Sequence, residues 1–149
     1  METHVAGKVS IDINASAIKV WEALTTPELI KEYFFGTDAI SDWKVGSSII
    51  FKGEWQGKTY EDKGTILEVV PGKLLKYTYW SSLSGLQDDQ ENYLDITYEL
   101  TESNDSTILT ITQENIPDEN TKEHTEDNWK KVLTDLKNLL ETKTETPLY

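Results

Sequence analysis

Between about Asn120 and Lys143 the apolar residues Trp129, Val132, Leu133, Leu136, Leu139 and Leu140 recur at steps of three and four. That period gathers side chains on one face of an α-helix. Lys130, Lys131, Thr134, Asp135, Lys137 and Asn138 stand between them as a wet face. At about 1.5 Å per residue the helix is roughly 35 Å long, enough to lie across a whole small sheet. Its apolar stripe has to be buried against another layer, and nearly everything upstream reads as β-strand. A curved sheet gripping this helix is the architecture that follows.

The strands announce themselves by alternation. Val5, Gly7, Val9, Ile11 and Ile13 share one face of a first strand over 4–14. Two short helices follow, one over Ala17 to Leu24 with Ser16 or Asn14 as its cap, and one opening at Thr26-Pro27 and ending before Gly36. Residues 37–46 read as a loop holding Trp43. Ser47 to Trp55 and Tyr60 to Val70 form a hairpin around Gln56-Gly57-Lys58, and Gly64 inside the second arm marks a bulge or a close approach. After Pro71-Gly72-Lys73 comes Leu74 to Trp80, then a polar loop, Ser81 to Glu91, expected to be mobile. Tyr93 to Leu100 and Thr107 to Gln113 alternate again. Asn120 and Glu123 suggest a variant capping box for the last helix. The expected fold class is therefore α+β: six antiparallel strands in a meander, wrapped around one long helix, with two short helices between strands 1 and 2. It forms a single domain over residues 1–143, and the polar tail 144–149 is expected to fray.

Composition narrows the function. The formal net charge is −13, and all 14 basic residues are lysine. An acidic surface without the planar arginine fork is a poor partner for nucleic acid or for an anionic membrane. There are no cysteines, which removes disulfides, thiolate metal sites and a cysteine nucleophile together. No stretch approaches the ~20 apolar residues of a membrane span, and no leader pattern opens the chain, so the expected location is the cytoplasm. His4 and His124 are assigned to the surface. Asp88, Asp89 and Glu91 lack the spacing of a calcium loop and read as a solvated acidic loop, and Glu61-Asp62 and Asp12 are expected to face water. No catalytic constellation, metal site or cofactor motif is visible.

The segment from Ala17 through Val20-Trp21, Ala23-Leu24-Thr25 and Pro27-Glu28 resembles the helix junction of one family. Tyr33-Phe34, Asp42-Trp43-Lys44-Val45-Gly46, Tyr60, Gly64, Val69-Val70-Pro71, Leu75 and Tyr77-Thr78-Tyr79 continue the likeness in order. Thr107 to Pro117 and Asn128-Trp129 with Leu133 and Leu136 complete it. The chain resembles the START-like superfamily (SRPBCC, helix-grip), and within it the homologues of the activator of heat-shock-protein-90 ATPase. The resemblance implies a deep cavity between sheet and helix, which in the superfamily holds lipids, sterols, polyketides or plant hormones. Some members cyclise or hydrolyse what they hold, and others bind protein partners. The chain departs from the pattern in two ways. The 149 residues are expected to leave no room for the separate N-terminal domain of the eukaryotic co-chaperone, and Gln113 stands where many relatives carry histidine.

By alternation, Ile49, Phe51, Trp55, Tyr77, Tyr79, Tyr98, Ile111 and Gln113 belong to the concave face, with Trp129, Leu133 and Leu136 opposite them on the helix and Phe34 and Trp43 at the mouth. Stripes of this kind usually pack a core. Tyrosine hydroxyls and a glutamine amide in that position, however, need partners, which a bound molecule or water can supply. Phe34, Trp43, Phe51, Trp55, Tyr77, Tyr79, Tyr98, Gln113, Trp129 and Leu133 are therefore the candidate ligand-binding residues. The first expected partner is a small hydrophobic or aromatic molecule. The alternatives are a protein partner such as a heat-shock ATPase, in a chaperone-accessory or stress-response role, and a cyclase or hydrolase activity using a buried tyrosine as general acid and Gln113 to orient substrate.

Overall fold

The computed structural model describes residues 5–144 apart from 35, 82–86 and 117; the side chains of Trp55 and of residues 142–144 also lie outside the description. Strand β1 (Val5–Ile13) is followed by helices α1 (Ala17–Thr25) and α2 (Pro27–Tyr33). Strands β2 (Asp38–Ser41), β3 (Ser48–Trp55), β4 (Lys58–Val70) and β5 (Leu74–Tyr79) come next, then β6 (Leu94–Ser103), β7 (Ser106–Ile116) and helix α3 (Glu119–Thr144). The strands form one antiparallel sheet in the order β1-β7-β6-β5-β4-β3-β2. The two ends of the strand sequence thus lie side by side as β1 and β7, and α1 and α2 carry the chain from that edge to the far edge.

The sheet has seven strands rather than six. The extra one, β2, falls in the segment read as a loop. It is only four residues long, buries Ala39 alone, and pairs with β3 through Ala39 opposite Phe51. Four residues with one small apolar side chain carry too little alternation to be recognised.

Helix α3 does what its stripe requires. Trp129, Val132, Leu133, Leu136 and Leu140 are buried against the sheet and α2, and Leu139 is partly so. Its first turn is capped by Asp118, whose Oδ1 accepts from the Thr121 amide at 2.7 Å, in place of the expected Asn120–Glu123 box. That bond holds the Asp118 carboxyl below its usual range. The helix also guards the β1 edge. Glu126 accepts from the Lys8 amide at 3.0 Å and Glu141 from the Asn14 amide at 2.9 Å, so side chains satisfy N–H groups that flank an exposed strand edge. The frayed tail was expected from residue 144; residue 144 is the last of α3, and 145–149 lie outside the described residues, as do His4 and the middle of the 81–91 loop.

Two local features set the register around the site. Gln56 and Gly57 both have positive φ, 52° and 82°, the two-residue turn that fits the twist of a hairpin. It fixes Trp55 opposite Lys58, and hence Phe51 opposite Asp62 and Gly53 opposite Tyr60. Further along, β4 runs so close to β5 that a Cβ on Gly64 would sit 1.6 Å from the Thr78 carbonyl oxygen. Only glycine fits there.

Candidate functional site

Sheet and helix do not close on one another everywhere. A cavity of about 570 Å³ lies between β3, β4 and β5 on one side and the first half of α3 on the other. Phe34, at the end of α2, stacks on Phe51 with ring centroids 5.9 Å apart and meets Trp129 edge-on at the same distance. Phe51 is 6.0 Å from both Tyr77 and Tyr79. These rings form the apolar walls, with Ile96 and Val132 between them.

One end of the cavity is polar. The Trp129 indole N–H donates to Gln113 Oε1 at 2.9 Å, which orients the amide. At the β4 end, Thr37 and Tyr60 share a hydrogen bond of 2.5 Å, and the Tyr79 hydroxyl donates to Asp62 Oδ2 at 2.5 Å. Asp62 is only 6% exposed. Burial, and next the Asp62 charge, hold the Tyr79 phenol well above its usual range, so Tyr79 is a proton donor to the carboxylate and not a base. Ser81 completes this end. The ring of Tyr60 lies across Gly53, where a Cβ would meet the tyrosine oxygen at 2.4 Å; the glycine is what lets Tyr60 reach Thr37.

With this geometry the sequence matches the family model "Activator of Hsp90 ATPase homolog 1-like protein" over residues 14–141. The chain belongs to that family. A protein from Cytophaga hutchinsonii, solved in solution, is 47% identical, with 98% of this chain and 100% of that one covered and a TM-score of 0.84. A Mesorhizobium loti protein is 24% identical at a TM-score of 0.74, covering 97% of this chain and 100% of that one. The Aha1 dimer from Colwellia psychrerythraea is 22% identical at a TM-score of 0.73, covering 92% of this chain and 96% of that one. At those last two identities the likeness shows the fold alone. No curated protein matches the chain.

Of the residues singled out in this family member, Phe34, Phe51, Tyr77, Tyr79, Gln113 and Trp129 come together around the cavity. Tyr98 stands one layer behind, sharing a 2.7 Å hydrogen bond with Tyr77. Leu133 is 1% exposed and belongs to the packed core rather than the cavity wall. Trp43 is not at the mouth. It packs against the core, beside a void of about 10 Å³ with Leu24, Ile30 and Phe34. The backbone of Trp55 ends β3, and its side chain lies outside the described residues.

Sequence reasoning missed Asp62 and placed it in water. The signal was available: directly opposed residues in an antiparallel pair share a face, and a two-residue turn at Gln56-Gly57 sets Asp62 against inward-facing Phe51. The acidic loop is also less loose than expected at its end. Asp88 ion-pairs with Lys63 at 2.5 Å and accepts from the Tyr93 hydroxyl, while Trp80 stacks on Tyr93. Both partners hold the Asp88 carboxyl below its usual range. Among the described residues no three histidine or carboxylate side chains gather to hold a metal ion, and no helix is long and apolar enough to cross a membrane.

Proposed function

We propose that this family member binds a small hydrophobic or aromatic molecule in the cavity between the sheet and α3. The supporting observation is the void itself. Protein interiors pack to crystal-like density, and spaces larger than a water molecule are few. A space of about 570 Å³ walled by Phe34, Phe51, Tyr77 and Trp129 lies in the size range of small-molecule sites. Its lining combines those rings with a few polar groups, Thr37, Tyr60, Asp62, Ser81 and Gln113, the mix that orients a mainly apolar guest.

Thermal unfolding against lipids, flavonoids and small aromatic acids and amines tests the reading. A true ligand raises the melting temperature progressively with concentration, by about 2.7 kcal/mol of added stability at a hundredfold excess over Kd. Ile96→Phe, which fills the space, removes that increment. A panel in which no compound stabilises the protein would count against the reading.

A further inference from the structure

The side-chain amide of Gln113 uses only one of its two functions inside the protein. Its oxygen accepts from the Trp129 indole. An indole N–H can only donate, so this bond decides which way round the amide stands: the oxygen meets Trp129, and the NH2 group does not. Among the described residues nothing accepts from that NH2 group. Gln113 is 7% exposed, and a donor withdrawn so far from water is costly to leave unmatched. Among the described residues, however, no enclosed side-chain nitrogen or oxygen lacks a partner, so this nitrogen is not sealed within the packing. It opens onto the cavity that Gln113 lines.

The donor is also held in place. Gln113 lies on β7 between β1 and β6, opposite Gly7 and Ile96. Ile96 and Trp129 line the cavity with it, and Trp129 in turn meets Phe34. Beside such apolar surface a hydrogen bond gains strength, and a missed one costs most. An acceptor for the indole needs no NH2 group, so the Trp129 bond leaves that half of the side chain unexplained.

We propose that the cavity selects a ligand with a neutral oxygen acceptor, a carbonyl above all, on an apolar body. The oxygen accepts from the Gln113 NH2 group, and the body lies against Trp129 and Phe34. The inference rests on the ligand-binding reading above and narrows it. A hydrocarbon leaves the donor unmatched. An ionised carboxylate withdrawn from water needs several donors or a cation, and the amide brings no charge. Lys131, also in the lining, has a side chain 64% exposed and ion-paired with Asp135 at 3.2 Å. The net charge of −13 repels anions on approach.

Three compounds with one body and different heads separate the two claims: 2-acetylnaphthalene, 2-isopropenylnaphthalene and 2-naphthoate, titrated at neutral pH by NMR. The first two have the same shape, with C=O in one and C=CH2 in the other. The ketone binds about two- to tenfold tighter than the alkene, the range of one net hydrogen bond, and naphthoate binds weakest. The Gln113 side-chain NH2 signals move with the ketone and stay in place with the alkene. In Gln113→Leu combined with Trp129→Phe the order reverses, because the ketone still has to leave water and no longer finds a donor. The wild-type series decides the matter even where that double variant fails to fold. An alkene that binds as well as the ketone, or tightest binding of naphthoate, overturns the acceptor proposal and leaves the cavity reading standing. No binding of any of the three overturns both.

Discussion

The hydroxyl of Tyr79 on β5 donates to the carboxylate of Asp62 on β4 at 2.5 Å, in the lining of the cavity between the sheet and α3. Neighbouring strands hold the two, so the hydrogen bond is a fixed part of the sheet and does not depend on a loop. Tyr79→Phe leaves the buried carboxylate short of a donor. Its expected effect is a destabilisation of about 1–3 kcal/mol in urea unfolding, the penalty for a buried polar group that loses one of its hydrogen bonds.

Alkaline stability follows from the tyrosines. Burial raises the phenols of Tyr33, Tyr77, Tyr79 and Tyr98 above their usual range. In the unfolded chain they ionise near pH 10, so above that pH the unfolded state binds fewer protons than the native one and stability falls as pH rises. The contribution is fully present below pH ~10 and is lost above it, by about 1.4 kcal/mol per pH unit for each tyrosine held neutral. Tyrosinate absorbance should therefore show these four ionising together with loss of structure. Smooth ionisation of all of them in the folded protein would contradict this.

Gly64→Ala places a methyl group against the Thr78 carbonyl oxygen, a backbone atom that cannot swing aside. The strands have to part, and a loss of roughly 3 kcal/mol is expected. Gly53→Ala meets only the movable ring of Tyr60, so it is milder in stability but disturbs the Thr37–Tyr60 hydrogen bond at the cavity end. Urea midpoints of the two variants give the comparison, and a larger loss for Gly53→Ala would be contrary to it.

Gln113 and Trp129 form a second pair across sheet and helix. Gln113→Leu removes the acceptor of a buried indole N–H, with an expected loss of about 1–3 kcal/mol. Combined with Trp129→Phe, most of that loss should disappear, because no donor is then stranded. A double-mutant cycle checks it; additivity would mean the bond carries no coupling.

Leu136→Ala tests the stripe that organises the chain. Leu136 is fully buried, and its truncation is expected to remove about 2–5 kcal/mol, whereas Ile108→Ser at an exposed strand position should change stability by less than about 0.5 kcal/mol.

The helix and most strands were legible because their periods are long and clean: Trp129 to Leu140 at helical spacing, Leu94 to Leu100 at strand spacing. Strand β2 was not, since Asp38–Ser41 offers a single buried methyl group in Ala39. The aromatic walls were legible by alternation, but Trp43 was misplaced. Its backbone takes a left-handed conformation, φ 59°, that no local pattern signals, and its side chain lines the small void beside Leu24 and Ile30. Asp62 was lost by judging it from its own charge instead of from the residue opposite. Polarity described where it belongs in an average protein, and the register described where it lies in this one.

Occupancy of the cavity is the central claim, and the most direct measurement is a nitrogen-edited NMR titration with naphthylmethanol. Saturable shifts are expected at the Trp129 indole N–H and at the amides of Asp62, Tyr77 and Gln113, with none at Ile18, Ile40 or Ile108 on the outer surface. Shifts confined to that outer surface, or no shifts with this or any neutral analogue, would contradict a ligand-binding cavity between the sheet and α3.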